Sequence, residues 1–165
     1  MTVHKRHLVE MITSGGQTGA DRAALDWAIR NHIKHGGWCP KGRLAEDGPI
    51  DTKYNLTETP GETYLERTAK NVRASDGSVI FTMDDLLCGG SLKTVEIAIK
   101  HRKPHLHLWA TLETNLAEEL KGWIKKNEIQ ILNVAGPRAS EQPEIGQFVE
   151  RVLNEAFSSE KTTPR

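Results

Sequence analysis

The chain has 165 residues, and its 22 basic and 22 acidic side chains cancel. This length is enough for one domain with a buried core, and the balanced charge produces no strong field to attract nucleic acid or an anionic membrane. Cys39 and Cys88 lie far apart and form no CxxC pair, which favours a reducing compartment over a disulfide framework. We therefore expect a cytoplasmic protein without a signal peptide or membrane-spanning segment.

The first predicted elements are a strand over residues 8–13, a glycine-rich turn at 14–21 and a helix over 20–33. Three glycines within five residues let the backbone adopt left-handed angles and let a ligand approach closely. Free amide groups and the positive end of the helix macrodipole then predict an anion site. Thr18 and Asp21 have the spacing of a capping box, which would fix the helix start. A tight turn without a ligand explains the same glycines.

The next part of the chain is less regular. His32 and His35 are expected at the end of the first helix, followed by a short strand over residues 38–40. The connection over residues 41–63 has no periodicity and many turn-forming residues. A connection this long is usually functional or disordered. Its charged side chains fit either a solvated surface loop or a lid over a ligand, and its position after a strand favours a lid.

A second glycine turn repeats the opening design. A helix over residues 64–74 precedes the clearest strand, over 78–82, and the turn Cys-Gly-Gly-Ser follows at 88–91. Ser91 is the expected N-cap of the next helix, because its hydroxyl can accept from an amide of the first turn. The apolar face of that helix is expected to contain Val95, Ala98 and Ile99.

The last third of the chain supplies a third turn. A strand over residues 105–109, a helix over 114–126 and a strand over 131–134 lead to the turn at 135–140. A final helix follows, and residues 158–165 form a polar tail. One stripe of that helix is strongly apolar and predicts core packing: Ile145, Phe148, Val149, Val152, Leu153 and Ala156.

The alternation of strands and helices predicts an α/β fold. Five strands with helical connections imply right-handed crossovers and a parallel sheet that is covered on both faces. Ligands of such sheets bind at the carboxyl ends of the strands, where the winding direction reverses. All three turns follow strands and are expected on that edge. Their convergence there predicts a site for a phosphorylated or oxyanionic ligand.

Several sequence blocks carry a resemblance to a known family. The longest is Ser-Gly-Gly-Gln-Thr-Gly-Ala-Asp-Arg-Ala-Ala-Leu-Asp at 14–26. Others are Gly-Trp-Cys-Pro-Lys-Gly-Arg at 37–43, Ala-Glu-Asp-Gly at 45–48, Gly-Gly-Ser at 89–91 and Asn-Val-Ala-Gly-Pro-Arg at 133–138. Together they resemble the molybdenum cofactor carrier protein family over roughly residues 8–157.

The resemblance implies a single Rossmann-like domain over residues 1–157, a three-layer α/β sandwich with a mostly parallel sheet of five or six strands. It places the chain in the wider SLOG group, which includes lysine-decarboxylase-like nucleotide-binding proteins. It also implies a homo-oligomer, a dimer or tetramer, that binds and protects the molybdenum cofactor (molybdopterin with its metal) or molybdate. Such a carrier is not an enzyme. Its protein partners would be molybdoenzymes or proteins of cofactor synthesis.

The expected cargo-binding residues lie on the three turns and on the connection after the second strand. A phosphate would bind amides of a glycine turn, with Arg138 or Lys41 donating charge-assisted hydrogen bonds. Cys88 lies beside the second turn and is the better thiol candidate of the two cysteines. The complete set is Gly15, Gly16, Gln17, Thr18, Gly19, Lys41, Cys88, Gly89, Gly90, Ser91, Thr94, Gly136, Arg138 and Ser140. No catalytic residue and no resident metal ligand is expected.

Two alternatives use the same fold. Ribosyl hydrolases of nucleoside monophosphates have a Pro-Gly-Gly-x-Gly-Thr-x-x-Glu motif, and here Gly89, Gly90 and Glu96 fall at the matching positions. Cys88 replaces the proline and Leu92 the third glycine, so the match is incomplete. The other alternative is a module that binds a nucleotide and performs no chemistry.

Overall fold

The computed structural model describes residues 7–112 and 115–158. Within these ranges the helices are α1 (Ala20–Arg30), α2 (Tyr64–Ala74), α3 (Gly89–Lys100), α4 (Leu116–Lys126) and α5 (Ile145–Phe157). The strands are β1 (Met11–Thr13), β2 (Lys34–Gly36), β3 (Trp38–Cys39), β4 (Thr57–Glu58), β5 (Gly77–Thr82), β6 (His105–Trp109) and β7 (Ile131–Ala135). The predicted helix start at Thr114 lies outside the described residues, as does the predicted tail apart from Ser158.

The main sheet is parallel throughout and has five strands in the order β2-β1-β7-β5-β6. Helix α5 packs between α1 and α4, and α2 packs against α3. Because parallel crossovers are right-handed, the first group covers one face of the sheet and the second group covers the other. The predicted three-layer α/β arrangement is confirmed.

The strand order is a circular permutation of a familiar one. When β7 is counted first, the order across the sheet becomes 3-2-1-4-5, which is the Rossmann order. The winding direction therefore reverses between β7 and β5. The carboxyl ends of these two strands form the edge at which α/β proteins of this type bind ligands.

The predicted strand at residues 38–40 is present over residues 38–39 but does not belong to the main sheet. The main-sheet strand is β2, whereas residues 38–39 form β3 and pair with β4 in a separate two-stranded sheet. Gly37 separates the two strands with a φ of 130°, which lets the chain leave the main sheet. His35 accordingly lies in a strand, and its Nε2 accepts a hydrogen bond from the amide of Asn55 at 3.0 Å. The polar sequence of β2 suits an edge strand and conceals it from pattern analysis.

The core matches the predicted stripe of the last helix. All six apolar residues predicted on α5 are buried, and Phe148 contacts Phe81 of β5 edge to face with ring centroids 5.6 Å apart. Helix α1 adds Trp27, whose Nε1 donates to the side chain of Asn154. These contacts bury apolar surface from both elements and hold α1 and α5 on the same face.

Helix α3 differs from its predicted orientation. Its buried residues are Ser91, Thr94 and Ala98, whereas Ile99 is 60% exposed. Leu92 is also exposed. The predicted apolar face is therefore wrong for Ile99, because the helix packs on the sheet through small side chains and directs larger apolar ones outward.

Candidate functional site

A cleft of about 170 Å³ lies at the carboxyl end of β7, the strand at which the winding direction reverses. Residues from the first turn, the start of α3, the turn after β7 and helix α2 line it. These four segments are distant in the chain and meet at the reversal point of the sheet. Of the predicted binding residues, seven line this cleft: Gly15, Gln17, Gly90, Ser91, Thr94, Gly136 and Arg138.

The other predicted residues do not line the cleft: Gly16, Thr18, Gly19, Lys41, Cys88, Gly89 and Ser140. Lys41 is exposed on the connection after β3, where its amide donates to the carbonyl of Gly61. Cys88 is exposed at the residue that precedes α3, whereas Cys39 is buried, and burial raises the pKa of its thiol.

Other atoms of the protein lie close to the glycines of the first turn. A Cβ at Gly15 would lie 2.0 Å from the Nη1 atom of Arg67, and one at Gly16 would lie 2.6 Å from Leu56. At Gly19 it would lie 2.6 Å from the carbonyl oxygen of Pro137. These glycines therefore serve internal packing, and direct contact of Gly15, Gly16 and Gly19 with a ligand stays a prediction.

Several amides of the first turn already have acceptors within the protein. Gln17 donates its amide to the Asp21 carboxylate, and Ala20 donates to the carbonyl of Pro137. The predicted capping box is wrong, because the N-cap of α1 is Gly19 and no side chain caps the helix. Asp21 instead accepts from Gln17 and from Arg67, which remove it from the role of a cap.

The start of α3 is open by contrast. Within the part of the chain that the structure describes, a Cβ added at Gly89 or Gly90 would meet no atom within 4 Å beyond its own helix backbone and chain neighbours. The N-cap is Cys88, so the predicted N-cap Ser91 is wrong, and no side chain caps this helix either. The first amides of a helix have no acceptor inside it. They and the positive end of the α3 macrodipole can therefore bind an anion in the cleft.

A buried ion pair forms one wall of the cleft. Nη1 of Arg67 lies 3.2 Å from Oδ2 of Asp21, and both side chains are almost fully buried. Burial raises the pKa of Asp21, while the Arg67 guanidinium opposes that shift. The pair is thus held by mutual neutralisation, because either charge alone would be costly at this position.

Helix α2 forms a wall of the cleft that the sequence patterns did not predict as part of the site. Tyr64, Arg67, Thr68 and Asn71 all line the cleft. Their spacing is i, i+3, i+4 and i+7, which places them on one helix face. This polar stripe on a helix that covers a sheet was the feature of the sequence that could have predicted the wall of the cleft. Asn71 also exchanges two hydrogen bonds with the backbone of Trp38 and joins α2 to β3.

Two guanidinium groups flank the aromatic ring of Tyr64. The Cζ atoms of Arg67 and Arg138 each lie 5.3 Å from its ring centroid. Arg138 is half-buried and its Nε lies 3.6 Å from Glu141. It therefore keeps donors available toward the cleft, and Lys93 adds a further exposed cation there.

Comparison with known proteins identifies the family of this chain. Residues 12–157 match the model of the circularly permutated YpsA SLOG family. The chain belongs to that family. The permuted strand order described above agrees with the family's description.

A solved relative supports the same assignment. It is a protein from Syntrophus aciditrophicus SB, provisionally named a molybdenum carrier protein and determined at 1.45 Å resolution. The two chains are 44% identical with a TM-score of 0.89, and the match covers 93% of this chain and 98% of the relative. A match to (E)-4-hydroxy-3-methyl-but-2-enyl diphosphate reductase, at 12% identity and a TM-score of 0.36, covers 89% of this chain and 59% of that one and supports no argument. No curated protein matches the chain.

In this SLOG family member, the connection after β3 is a packed structure. Arg43 organises residues 43–56 by donating to the backbone carbonyls of Ile50, Asp51, Tyr54 and Leu56. Ile50 and Tyr54 are buried in a small cluster with Leu25 of α1 and Cys39 of β3. The hydroxyl of Tyr54 donates to Asp26 at 2.6 Å. The expectation of an irregular loop therefore underestimates the order of this segment.

Glu46 attaches this segment to two of the glycine turns. Its carboxylate accepts hydrogen bonds from the hydroxyl of Thr18 and from the amide and hydroxyl of Ser140. Its own amide donates to Oε1 of Gln17 at 2.9 Å. We refer to Glu46 and these three partners as the Glu46 latch. Thr18 and Ser140 thus contribute to the site indirectly, because they hold the segment next to the cleft.

The latch is expected to weaken at low pH. The hydrogen bonds from Ser140 and Thr18 hold the pKa of Glu46 below its ordinary value of 4.5. A lowered pKa in the folded state means that this stabilisation is complete above pH 4.5 and is lost as the pH falls through the lower, folded-state pKa. We expect Glu46→Gln to speed amide hydrogen exchange in residues 43–56 about two- to five-fold at pH 7.

The exposed Glu62, on the same connection, provides a matched control. Glu62→Gln should leave exchange in residues 43–56 unchanged. As the pH is lowered toward 3, the exchange rate of residues 43–56 in the wild type should approach that in Glu46→Gln, after both rates are corrected for the pH dependence of intrinsic amide exchange. Equal exchange in Glu46→Gln and the wild type at pH 7 would contradict the latch.

Metal-ligand clusters and membrane-spanning helices are both absent from the described ranges. Within residues 7–112 and 115–158, no group of three or more potential metal ligands comes together. None of the helices in these ranges has the length and apolar character required to cross a membrane.

Proposed function

We propose that this protein binds and protects a phosphorylated small molecule, the molybdenum cofactor, as a carrier. The observation that carries the proposal is the cleft at the reversal point of the sheet, where the start of α3 is open and Arg138 and Lys93 supply positive charge. The name of the relative from Syntrophus aciditrophicus SB supports molybdenum as part of the cargo.

The residues divide between the two ends of such a cargo. A phosphate would bind the amides of Gly90 and Ser91, where the α3 macrodipole is positive and Lys93 is close. Arg138 would add a charge-assisted hydrogen bond from the other side of the cleft. The rest of the cargo would extend toward Gln17 and Tyr64. Molybdate alone would use the α3 end in the same way.

Protection of the cargo requires exclusion of water and oxygen. The segment of residues 43–56 lies beside the cleft and is attached by the Glu46 latch. We propose that this packed segment limits access to one side of the cleft. A second copy of the chain would limit access further, and the outward apolar residues of α2 and α3 support self-association: Leu65, Leu92 and Ile99 are all exposed.

Native mass spectrometry of the protein purified from a cofactor-producing host tests the proposal. We expect a dimer or tetramer that retains one molybdopterin per subunit, with or without its metal. Purification from a host that is defective in cofactor synthesis should remove the extra mass without changing the subunit count. Protein that carries no pterin from the competent host would contradict the proposal.

Nucleotide binding is the second candidate, because the strand order and the reversal-point cleft are those of nucleotide-binding sheets. The hydrolase version is disfavoured, because Glu96 is exposed, pairs with Lys93 and does not line the cleft. Incubation with nucleoside monophosphates separates the candidates. Tight binding of AMP without release of adenine would favour a nucleotide-binding module, and released base would favour a hydrolase.

Removal of Arg138 is expected to weaken binding of the cargo. Arg138→Ala should cost about 1.5–3 kcal/mol of binding free energy, the value of a charge-assisted hydrogen bond. Titration calorimetry with molybdopterin measures the change. Arg30→Ala is the control, since Arg30 is an exposed arginine that pairs with Glu150 away from the cleft. Equal affinities of Arg138→Ala and Arg30→Ala would move the ligand away from the turn after β7.

A further inference from the structure

The hydrogen bonds of the Gln17 side-chain amide determine which end is the oxygen and which is the nitrogen. Its Oε1 accepts hydrogen bonds from the backbone amides of Thr18, at 3.0 Å, and Glu46, at 2.9 Å. A backbone N–H group can only donate, so the end of the side chain that contacts both must be the oxygen. Nε2 therefore occupies the other end of the side-chain amide, opposite the oxygen that contacts the Thr18 and Glu46 amides.

Nε2 of Gln17 has no hydrogen-bond partner within the described residues, although the atom is buried. Gln17 itself is only 5% exposed and lines the cleft. Buried polar atoms are almost always satisfied in folded proteins, so an orphaned donor on a residue that lines the cleft requires an explanation. A ligand atom that accepts a hydrogen bond provides one.

We propose that Gln17 is a specificity-determining residue that donates from Nε2 to an acceptor atom of the cargo. This inference rests on the proposed function, since it assigns a role within the same cleft. The open anion position lies at α3, so the acceptor belongs to the part of the cargo without the phosphate: a ring carbonyl or ring nitrogen of a heterocycle. A ligand with a donor at this point is disfavoured, because two donors would face each other.

Glu46 is the positioning residue for this donor. Its amide is one of the two groups that hold Oε1 of Gln17, and its carboxylate is attached to Thr18 and Ser140. Loss of the carboxylate removes the attachments to Thr18 and Ser140 and loosens the position of the Glu46 amide that holds Oε1 of Gln17. Glu46 thus acts on the ligand through Gln17 and touches no ligand atom itself.

Two substitutions of Gln17 test the donor. Gln17→Glu keeps an acceptor for Thr18 and Glu46 but replaces Nε2 by an acceptor, and Gln17→Met removes both functions without adding charge. Each should weaken molybdopterin binding about 10- to 100-fold, the range for loss of a hydrogen bond to a ligand. The control Gln147→Glu adds the same charge on the exposed surface of α5 and should bind normally.

A double-mutant cycle tests the role of Glu46. Glu46→Ala should weaken molybdopterin binding in the wild-type background but have little further effect in Gln17→Met, because the positioned group is already absent. A purely structural role for Glu46 would give equal losses in both backgrounds and would overturn its assignment as a positioning residue.

The outcomes separate the inference from the proposed function. If the wild type binds molybdopterin and Gln17→Met binds equally well, the donor role is overturned and the carrier proposal stands. If the wild type binds neither molybdopterin nor AMP, the proposed function fails and the inference fails with it. Binding of molybdate alone shows which part of the cargo accepts from Gln17. If Gln17→Met binds molybdate as tightly as the wild type does, the acceptor belongs to the heterocycle. If Gln17→Met loses as much affinity for molybdate as for molybdopterin, the assignment to the heterocycle is overturned.

Discussion

Arg67→Ala is expected to destabilise the protein by about 3–5 kcal/mol at pH 8, the cost of leaving a buried charge without its partner. The substitution removes the guanidinium that lies 3.2 Å from Asp21, and Asp21 is almost fully buried beside the cleft. Urea unfolding monitored by tryptophan fluorescence measures the change. The exposed pair of Arg30 and Glu150 supplies a control, and Arg30→Ala should cost less than about 1 kcal/mol.

The loss should depend on pH in a defined direction. Burial already raises the pKa of Asp21 above 3.8, and removal of Arg67 raises it further. A raised pKa in the folded state means that the ionised carboxylate destabilises folding above that pKa and that the penalty disappears as the pH falls below it. Arg67→Ala should therefore be less destabilising at pH 5 than at pH 8. The additional change Asp21→Asn should recover much of the loss. A pH-independent loss would show that packing, and not charge, dominates.

Gly90→Val is expected to abolish ligand binding while the fold is retained. Apart from its chain neighbours and the backbone of its own helix, no atom of the described residues lies within 4 Å of the added Cβ, and Gly90 does not have a left-handed backbone. Stability should therefore change by less than about 1 kcal/mol. The isopropyl group would occupy the space over the first amides of α3, where we place the phosphate, and affinity for molybdopterin should fall roughly 100-fold or more.

The chain offers a matched control for this substitution. Gly122 lies in α4 and does not line the cleft, and an added Cβ there would also meet no described atom within 4 Å outside its own helix. Gly122→Val should bind molybdopterin like the wild type in the same calorimetric titration. If Gly90→Val also binds normally, the anion is not held at α3. Gly15→Ala is a contrasting case, because its Cβ would collide with Arg67 and the fold itself should suffer.

Strong local patterns predicted much of the architecture correctly. The apolar stripe of α5 and the bounds of α2 and β6 agree with the structure. Strand β2 was missed because Lys34, His35 and Gly36 form a polar edge strand with no periodicity to detect. Helix α3 was turned wrongly because Ile99 is exposed, and helical periodicity cannot distinguish a core face from an outward apolar face.

The candidate site was predicted in outline and revised in detail. The three turns do meet at one cleft, since all follow parallel strands of one sheet. The role of each turn could not be predicted, because glycine permits a close approach without showing which atoms make it. Arg67, 46 residues from Asp21 in the chain, fills the space beside Gly15.

By itself, the sequence determined the alternation of elements, the position of each glycine turn and the family, because these depend on short-range patterns and local motifs. Among the described residues, the tertiary structure alone decided that the α3 turn is open, that the first turn is filled by Arg67 and Ile50, and that Gln17 retains an unpartnered donor. The physical reason is that these properties arise from contacts between segments distant in the chain, and a local pattern carries no record of which segments will meet.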